Sequence, residues 1–341
     1  MDVSAPVLRD LVLLGGGHAH IEVLRRFAMR PLAGARLTLI SPDTLTAYSG
    51  MLPGLISGHY RHNEIHIDLV RLCRRAGARF IQDRVVGLDL EVRRVVLAGR
   101  PAIVYDTLSI NTGATPNLSG VPGAGAHAVP VKPVGRFLDH WAKIEAMQRP
   151  PKIAVVGGGA GGIEIALAID HRLGTDNKSQ IHLIEAGPVL LPGHSPGARR
   201  RLENAMDEAG ITRYVGRPVD RVDEQSLAFS DGEKVDFDLI VWTTGVAAPN
   251  WLADTGLALD AEGFIAVDAY LRSRSHREVF AAGDIAAMTA NPRPKSGVFA
   301  VRQGGPLADN LRRQLSAKPL LRFQPQRRFL GLMATGDRRA V

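Results

Sequence analysis

The sequence predicts an α/β protein in which one structural plan occurs twice, and three observations carry that prediction. First, LVLLGGGHAHIEVL at 11–24 and IAVVGGGAGGIEIAL at 153–167 share a pattern of apolar strand, glycine turn and helix, with Gly15 and Gly157 standing 142 positions apart. Second, each copy is followed by another apolar strand, RLTLIS at 36–41 and QIHLIEA at 180–186, at the spacing of a βαβ unit with a parallel sheet. Third, each copy passes through short alternating strands, 79–97 and 213–229, and closes on a similar phrase, YDTLSINTG at 105–113 and FDLIVWTTG at 237–245. Two Rossmann-like domains are therefore expected.

The glycines say what such domains hold. The second turn carries the full G-x-G-x-x-G pattern in Gly157, Gly159 and Gly162. The first glycine makes the turn, the second lets backbone amides reach a pyrophosphate, and the third lets helix pack on strand. The helix N-terminus then faces the phosphates. This is a dinucleotide-binding arrangement. Glu185 follows Gly162 by 23 positions, where a carboxylate accepts hydrogen bonds from a ribose diol, and Ala186 and Gly187 after it supply no cation for a 2′-phosphate. NADH is favoured over NADPH on that ground.

The first turn is a variant: Gly15, Gly16 and Gly17 lead into His18, Ala19 and His20. His20 stands where Gly162 stands in the other copy, so its side chain must push helix from strand or find a pocket. His18 is the better candidate for touching a phosphate. The two histidines lack the cysteines and acids of a metal cluster, so no metal site is expected. At the end of the second strand the first copy offers Ser41, with Asp43 beyond a proline, in place of an acid.

Composition removes other classes. The chain of 341 residues has room for two domains; 45% apolar and 22% charged residues are ordinary for a soluble globular protein. The net charge of +8 comes from scattered arginines without a basic run or interleaved aromatics, so no nucleic-acid partner is expected. MDVSAPVLRD lacks a secretion signal, no segment reads as a membrane span, and a cytoplasmic setting is expected. Cys73, the single cysteine, sits in the amphipathic pattern LVRLCRR and offers neither a disulfide nor a thiolate metal site.

A further strand, VFAAGDI at 279–285, ends in Gly283 and Asp284, far from both glycine turns. With the turn near 15, Thr112 and Gly113, the turn near 157, and Thr244 and Gly245, this order resembles the two-dinucleotide-binding-domain flavoproteins of the pyridine nucleotide-disulfide oxidoreductase superfamily. The resemblance covers essentially the whole chain. It implies a discontinuous FAD domain at 8–135 and 255–315, an inserted NAD domain at 150–254, and the start of a truncated α+β C-terminal region at 318–341. It also implies cofactor contacts: Gly15, Gly16, Gly17, His18, Ala19, His20, Ser41, Thr112, Gly113, Gly283 and Asp284 toward FAD, and Gly157, Gly159, Gly162, Glu185, Thr244 and Gly245 toward NADH. Glu164 matches the glutamate that lies near the nicotinamide in type II NADH dehydrogenases.

The chemistry implied is hydride transfer from NADH to flavin N5, which asks little of side chains. A redox cysteine pair, as in the disulfide reductases and sulfide:quinone reductases, cannot be built around Cys73 alone. The electrons then go to a small-molecule acceptor, quinone-like or unknown. The stretch PKSGVFAVRQG at 294–304 resembles the segment under the flavin in type II NADH dehydrogenases but has Gly297, Val298 and Arg302 where glutamines are frequent. YSGMLPGL at 48–55 is a second flavin-facing candidate. Lys132, in VPVKP, is a catalytic candidate beside Glu164. GGGHAHIEVLRRF, TAYSGMLPGLISGHY and the VKP segment resemble the NADH-dehydrogenase-like module found alone or fused to selenide, water dikinase; no kinase domain is present. Two alternatives stay open, a reductase of an iron–sulfur protein and a redox-sensing module of a larger selenium-metabolism protein. The sequence also leaves open peripheral contact with the inner membrane face, contact with a fused domain, and a homodimer, because RRFLGLMATGDRRAV at 327–341 reads as a strand and turn that stop abruptly.

Overall fold

A computed structural model describes residues 6–174, 179–326 and 330–341. The first five residues of MDVSAPVLRD and the first three of RRFLGLMATGDRRAV lie outside the described residues. The chain forms two compact units, one built from 1–46, 66–115 and 247–329, the other from 47–65, 116–246 and 330–341.

The first unit opens with β1 (Arg9–Leu14), α1 (His18–Met29) and β2 (Ala35–Ser41). After α2 (Leu52–Ile56) of the second unit, it continues with α3 (Leu69–Arg75), β3 (Arg79–Gln82) and β4 (Thr107–Ile110). The second unit then runs β5 (Val129–Pro130), α4 (Val134–Glu145), β6 (Lys152–Val156), α5 (Ala160–Leu173), β7 (Gln180–Glu185), β8 (Thr212–Val215) and β9 (Leu239–Trp242). The chain returns to the first unit with β10 (Val279–Ala281) and α6 (Gly297–Leu315).

In the first unit the parallel sheet runs β10-β4-β1-β2-β3. In the second it runs β5-β9-β6-β7-β8, again parallel. The repeat in the sequence is thus a repeat of topology. In each sheet the strand leading into the glycine turn is central, and the strand order reverses beside it, so a crevice opens at the carboxyl ends. Leu11, Val12, Leu13 and Leu14 are all fully buried, which is why the central strand reads as an unbroken apolar run instead of an alternating one.

Packing explains the helices. In the first unit α1 lies on α6, and the approach is close enough that a Cβ on Gly304 would stand 2.6 Å from Glu22 Cβ. Arg26 joins the two helices by pairing with Glu22 at 2.7 Å and Asp309 at 3.3 Å. In the second unit β6 buries both faces: Ile153 and Val155 join a core with Phe137, Trp141 and Ile163, while Ala154 and Val156 join another with Leu227, Phe229 and Trp242.

The unit boundaries differ from the expected division: 116–135, expected with the FAD domain, falls in the second unit, while 247–254, expected with the NAD domain, and 318–326, expected with the C-terminal region, fall in the first. Residues 47–65 and 330–341, expected with the FAD domain and with a separate C-terminal region, both belong to the second unit. Burial gives the reason: Leu52, Ile56 and Met333 enter the same apolar cluster as Phe137 and Ile163. The YSGMLPGL stretch supplies α2, which packs on α5. Residues 330–341 fold back on themselves, with Met333 and Val341 exchanging backbone hydrogen bonds of 3.0 and 2.9 Å. Among the described residues no helix is long and apolar enough to cross a membrane.

Candidate functional site: two nucleotide cradles

The second unit carries a cavity of about 520 Å³ at the carboxyl ends of β6, β7 and β9. Its walls include Gly157, Gly159, Glu185, Arg217, Thr244 and Gly245. Gly157 takes a left-handed φ of 120°, and a Cβ there would stand 2.5 Å from Thr243 Oγ1. A Cβ on Gly162 would collide with the Gly157 carbonyl oxygen, so helix and strand meet only because both residues are glycine. Gly159 is different. It caps α5 without a side-chain hydrogen bond, it lines the cavity, and a Cβ on it would meet nothing within 4 Å. A cradle that a Cβ would begin to fill, at an uncapped helix N-terminus, fits a pyrophosphate.

Glu185 ends β7, as expected, and also works on the protein. Its carboxylate accepts 2.7 Å hydrogen bonds from the amides of Gly158 and Gly187, tying the glycine turn to the strand end. Each oxygen keeps a lone pair for a ribose hydroxyl. Thr243, missed in the sequence beside the named Thr244, donates its hydroxyl to Val156 O at 2.8 Å and so joins β9 to β6. Arg217 was also missed, because it comes from a loop after β8 that shows no motif of its own.

In the first unit the glycine turn is organised by Asn111, which sequence reasoning passed over between the strand and Thr112. The Asn111 backbone oxygen accepts from the Gly17 amide at 3.2 Å. Its side-chain Oδ1 accepts from the amides of Ala19 at 3.1 Å and His20 at 3.2 Å, and its Nδ2 donates to Ala282 O at 2.6 Å. One side chain therefore caps α1 and holds the Ala282-Gly283 turn. The amides of Gly17, Ala19 and His20, expected to cradle phosphate, are engaged by Asn111 instead. The dipole of α1 also points its positive end at this turn.

The His20 side chain serves the protein: it is fully buried and both ring nitrogens are used, Nδ1 on Gly15 O at 2.7 Å and Nε2 on Ser109 Oγ at 2.8 Å. Burial lowers its pKa to about 4, opposed by the bond to Gly15. His18 is the first residue of α1. Gly16 packs against Leu69 of α3. Ser41 ends β2 in a buried position and Asp43 is exposed. Thr112 is exposed beyond β4, and Gly113 and Gly297 have open space where a Cβ would project. These openings at the ends of β4 and α6 fit a bound cofactor. Gly283, left-handed at 73°, donates its amide to Gln303 Oε1 at 2.6 Å, next to Asp284. Val298 is half-buried in the first turn of α6. Lys295, just before that helix, donates to Ala286 O at 2.7 Å and lies 3.8 Å over the Phe264 ring; burial lowers its pKa.

The catalytic candidates are both in the second unit. Glu164 lies in α5, largely buried, and accepts from the Ala334 amide at 2.9 Å; burial raises its pKa, and that hydrogen bond opposes the rise. Lys132 is exposed between β5 and α4. Cys73 is buried, and desolvation pushes its thiol to about 12, which leaves no thiolate at neutral pH.

Two parallel sheets each with a glycine turn at the switch point make the comparison with known proteins specific, and the profile of the pyridine nucleotide-disulphide oxidoreductases matches residues 9–304. The chain belongs to that family. It is an oxidoreductase whose cofactors are those of the family, a flavin and NAD(P)H, with FAD and NADH expected here. The family name describes a disulfide that this chain's single cysteine cannot form. Among relatives, the NADH dehydrogenase-like protein YutJ of Bacillus subtilis is 23% identical, with 98% of this chain and 91% of that protein covered. Demethylphylloquinone reductase NdbB of Synechocystis is 24% identical, with 96% and 85% covered. Among solved structures, the sulfide:quinone oxidoreductase of Aquifex aeolicus superposes with a TM-score of 0.81 at 20% identity, covering 96% of this chain and 82% of that one, a likeness of fold.

Proposed function

We propose that the protein oxidises NADH through bound FAD and delivers the electrons to a quinone-like small molecule without any thiol step. What supports this reading is the cavity at the second glycine turn, where Glu185 holds the turn, together with a lone cysteine that is buried, so that desolvation disfavours its thiolate. The names of two relatives, a demethylphylloquinone reductase and a type II NADH:quinone oxidoreductase of Staphylococcus epidermidis, support a quinone as acceptor class.

Bound FAD would supply a two-electron acceptor for the hydride of NADH. The chain's own residues bind and orient. Gly157, Gly159 and Gly162 shape the cradle for the NADH pyrophosphate, with the N-terminus of α5 behind it. Glu185 fixes that turn and holds the adenosine ribose. Asn111 and His20 keep the first turn closed around the start of α1, while Thr112, Gly113, Asp284, Gly297 and Val298 border the FAD cradle. Glu164, held by Ala334 and shifted toward its protonated form, is assigned to keep a proton on the nicotinamide side. Lys132 is retained as a candidate only for orienting substrate.

The experiment is anaerobic reduction by NADH followed by a panel of acceptors. Fast reoxidation by a soluble quinone and slow reoxidation by a ferredoxin-type protein are expected. The opposite order would move the assignment to an iron–sulfur protein reductase. A quinone acceptor is met at a membrane, so the protein is assigned to the cytoplasm with peripheral contact at the inner face; co-flotation with lipid vesicles tests that contact.

A further inference from the structure

One wall of the cavity carries a cation where a phosphate-bearing nucleotide would look for one, and the protein has already occupied it. Arg217 lines the cavity beside Glu185 and Ala186. Two backbone hydrogen bonds hold its loop there, Arg217 N–H to Glu185 O at 3.1 Å and Gly216 N–H to Gly187 O at 2.9 Å. Its Nη2 donates to Asp231 and, at 2.8 Å, to Glu233. Its guanidinium carbon lies 4.1 Å from the Phe229 ring centre and 5.2 Å from that of Tyr214. The side chain is only 23% exposed. The ring contacts and ion pairs together fix the guanidinium instead of leaving it to swing toward a ligand.

We propose that Asp231 and Glu233 are specificity residues that lock Arg217, so that the cavity takes a nucleotide with a free ribose 2′-hydroxyl and rejects one with a 2′-phosphate. The inference rests on reading the cavity as the NADH site. Glu185 in the wall and Asp231 and Glu233 on the Arg217 guanidinium set three carboxylates around one cation, and a 2′-phosphate would add a further dianion to that excess. The position just past β7 lacks a cation, as Ala186 and Gly187 show. The discrimination thus has two parts, an acid that accepts the diol and an arginine that is kept from answering the phosphate. The second part is reversible by neutralising the lock.

The test is calorimetric binding of 5′-AMP and 2′,5′-ADP, which differ only in the 2′-phosphate, to the FAD-loaded protein. The unaltered protein is expected to bind 5′-AMP at least about tenfold more tightly. The double variant Asp231→Asn, Glu233→Gln should keep 5′-AMP within about threefold and gain about tenfold for 2′,5′-ADP, the scale of one charge-assisted contact. Adding Arg217→Met should abolish the gain. Asp231→Asn alone, which keeps the turn bond from the Glu233 amide, should show a smaller gain in the same direction and decides the matter where the double variant is unstable. Unchanged affinity for 2′,5′-ADP with 5′-AMP binding retained would overturn the lock while leaving the NADH reading intact. Failure of the unaltered protein to bind 5′-AMP at all would overturn the NADH reading and the lock with it.

Discussion

His20 Nδ1 lies 2.7 Å from the carbonyl oxygen of Gly15. A carbonyl only accepts, so Nδ1 carries the proton and Nε2 accepts from the Ser109 hydroxyl. An imidazole thus fills, as a strut between turn and sheet, the place that a glycine fills in the second unit. His18 as the better candidate for touching a phosphate would make His18→Ala the variant that loosens FAD more. The strut reverses that order, since loss of two buried hydrogen bonds and of ring volume should cost about 2–4 kcal/mol in His20→Ala. Denaturant melts of the two variants, with FAD retention read on a desalting column, check it.

The same residue gives a pH dependence. Folding holds His20 neutral, its pKa lowered from 6.5 to about 4, so its contribution is complete above pH 6.5 and is lost as pH falls through 6.5 toward 4. His20→Gln should flatten the fall of Tm across that window. An unchanged slope would contradict it.

Glu164 works in the opposite sense. Its pKa is raised, so the folded state prefers the protonated acid; that preference favours folding below the unfolded value of 4.5 and is lost as pH rises through the folded value. Glu164→Gln keeps an acceptor for the Ala334 amide and should raise Tm at pH 8 while leaving it little changed at pH 4. If Glu164 also keeps a proton for turnover, the same variant lowers kcat without weakening NADH binding.

Three glycines of α5 and its cap separate fold from binding. Gly162→Ala should destabilise by about 1–3 kcal/mol, because the new methyl meets the Gly157 carbonyl. Gly159→Ala meets no protein atom and should cost less than about 1 kcal/mol, yet weaken NADH by at least about tenfold, because the methyl enters the cradle. Gly161→Ala, with open space and no place in the cavity wall, should change neither. Thermal melts and NADH titration of the three distinguish these outcomes.

Cys73→Ala tests the thiol-free assignment. The cost should be about 1 kcal/mol of stability with NADH oxidation unchanged. Lost turnover in a folded variant would bring the thiol back into the chemistry.

The two sheets, their glycine turns and Glu185 were legible because each rests on a local pattern: an apolar strand, a glycine spacing, an acid at a strand end. Asn111 was not, because its work is done across 92 positions of chain, on the Ala19 amide, and nothing in the run around it marks an asparagine that caps a distant helix. Arg217 escaped for a similar reason, its carboxylate partners lying in the turn between two antiparallel strands, Ser226–Phe229 and Lys234–Asp236. The placement of 47–65 and 330–341 turned on Leu52, Ile56 and Met333, too few apolar residues to show a period.

The central claim is that one chain binds both nucleotides and moves a hydride between them. Anaerobic titration of the FAD-loaded protein with NADH measures this most directly. The account predicts loss of the flavin's visible absorbance, complete at one NADH per flavin. A flavin that stays oxidised under excess NADH, or a protein that holds no FAD after reconstitution, would contradict it.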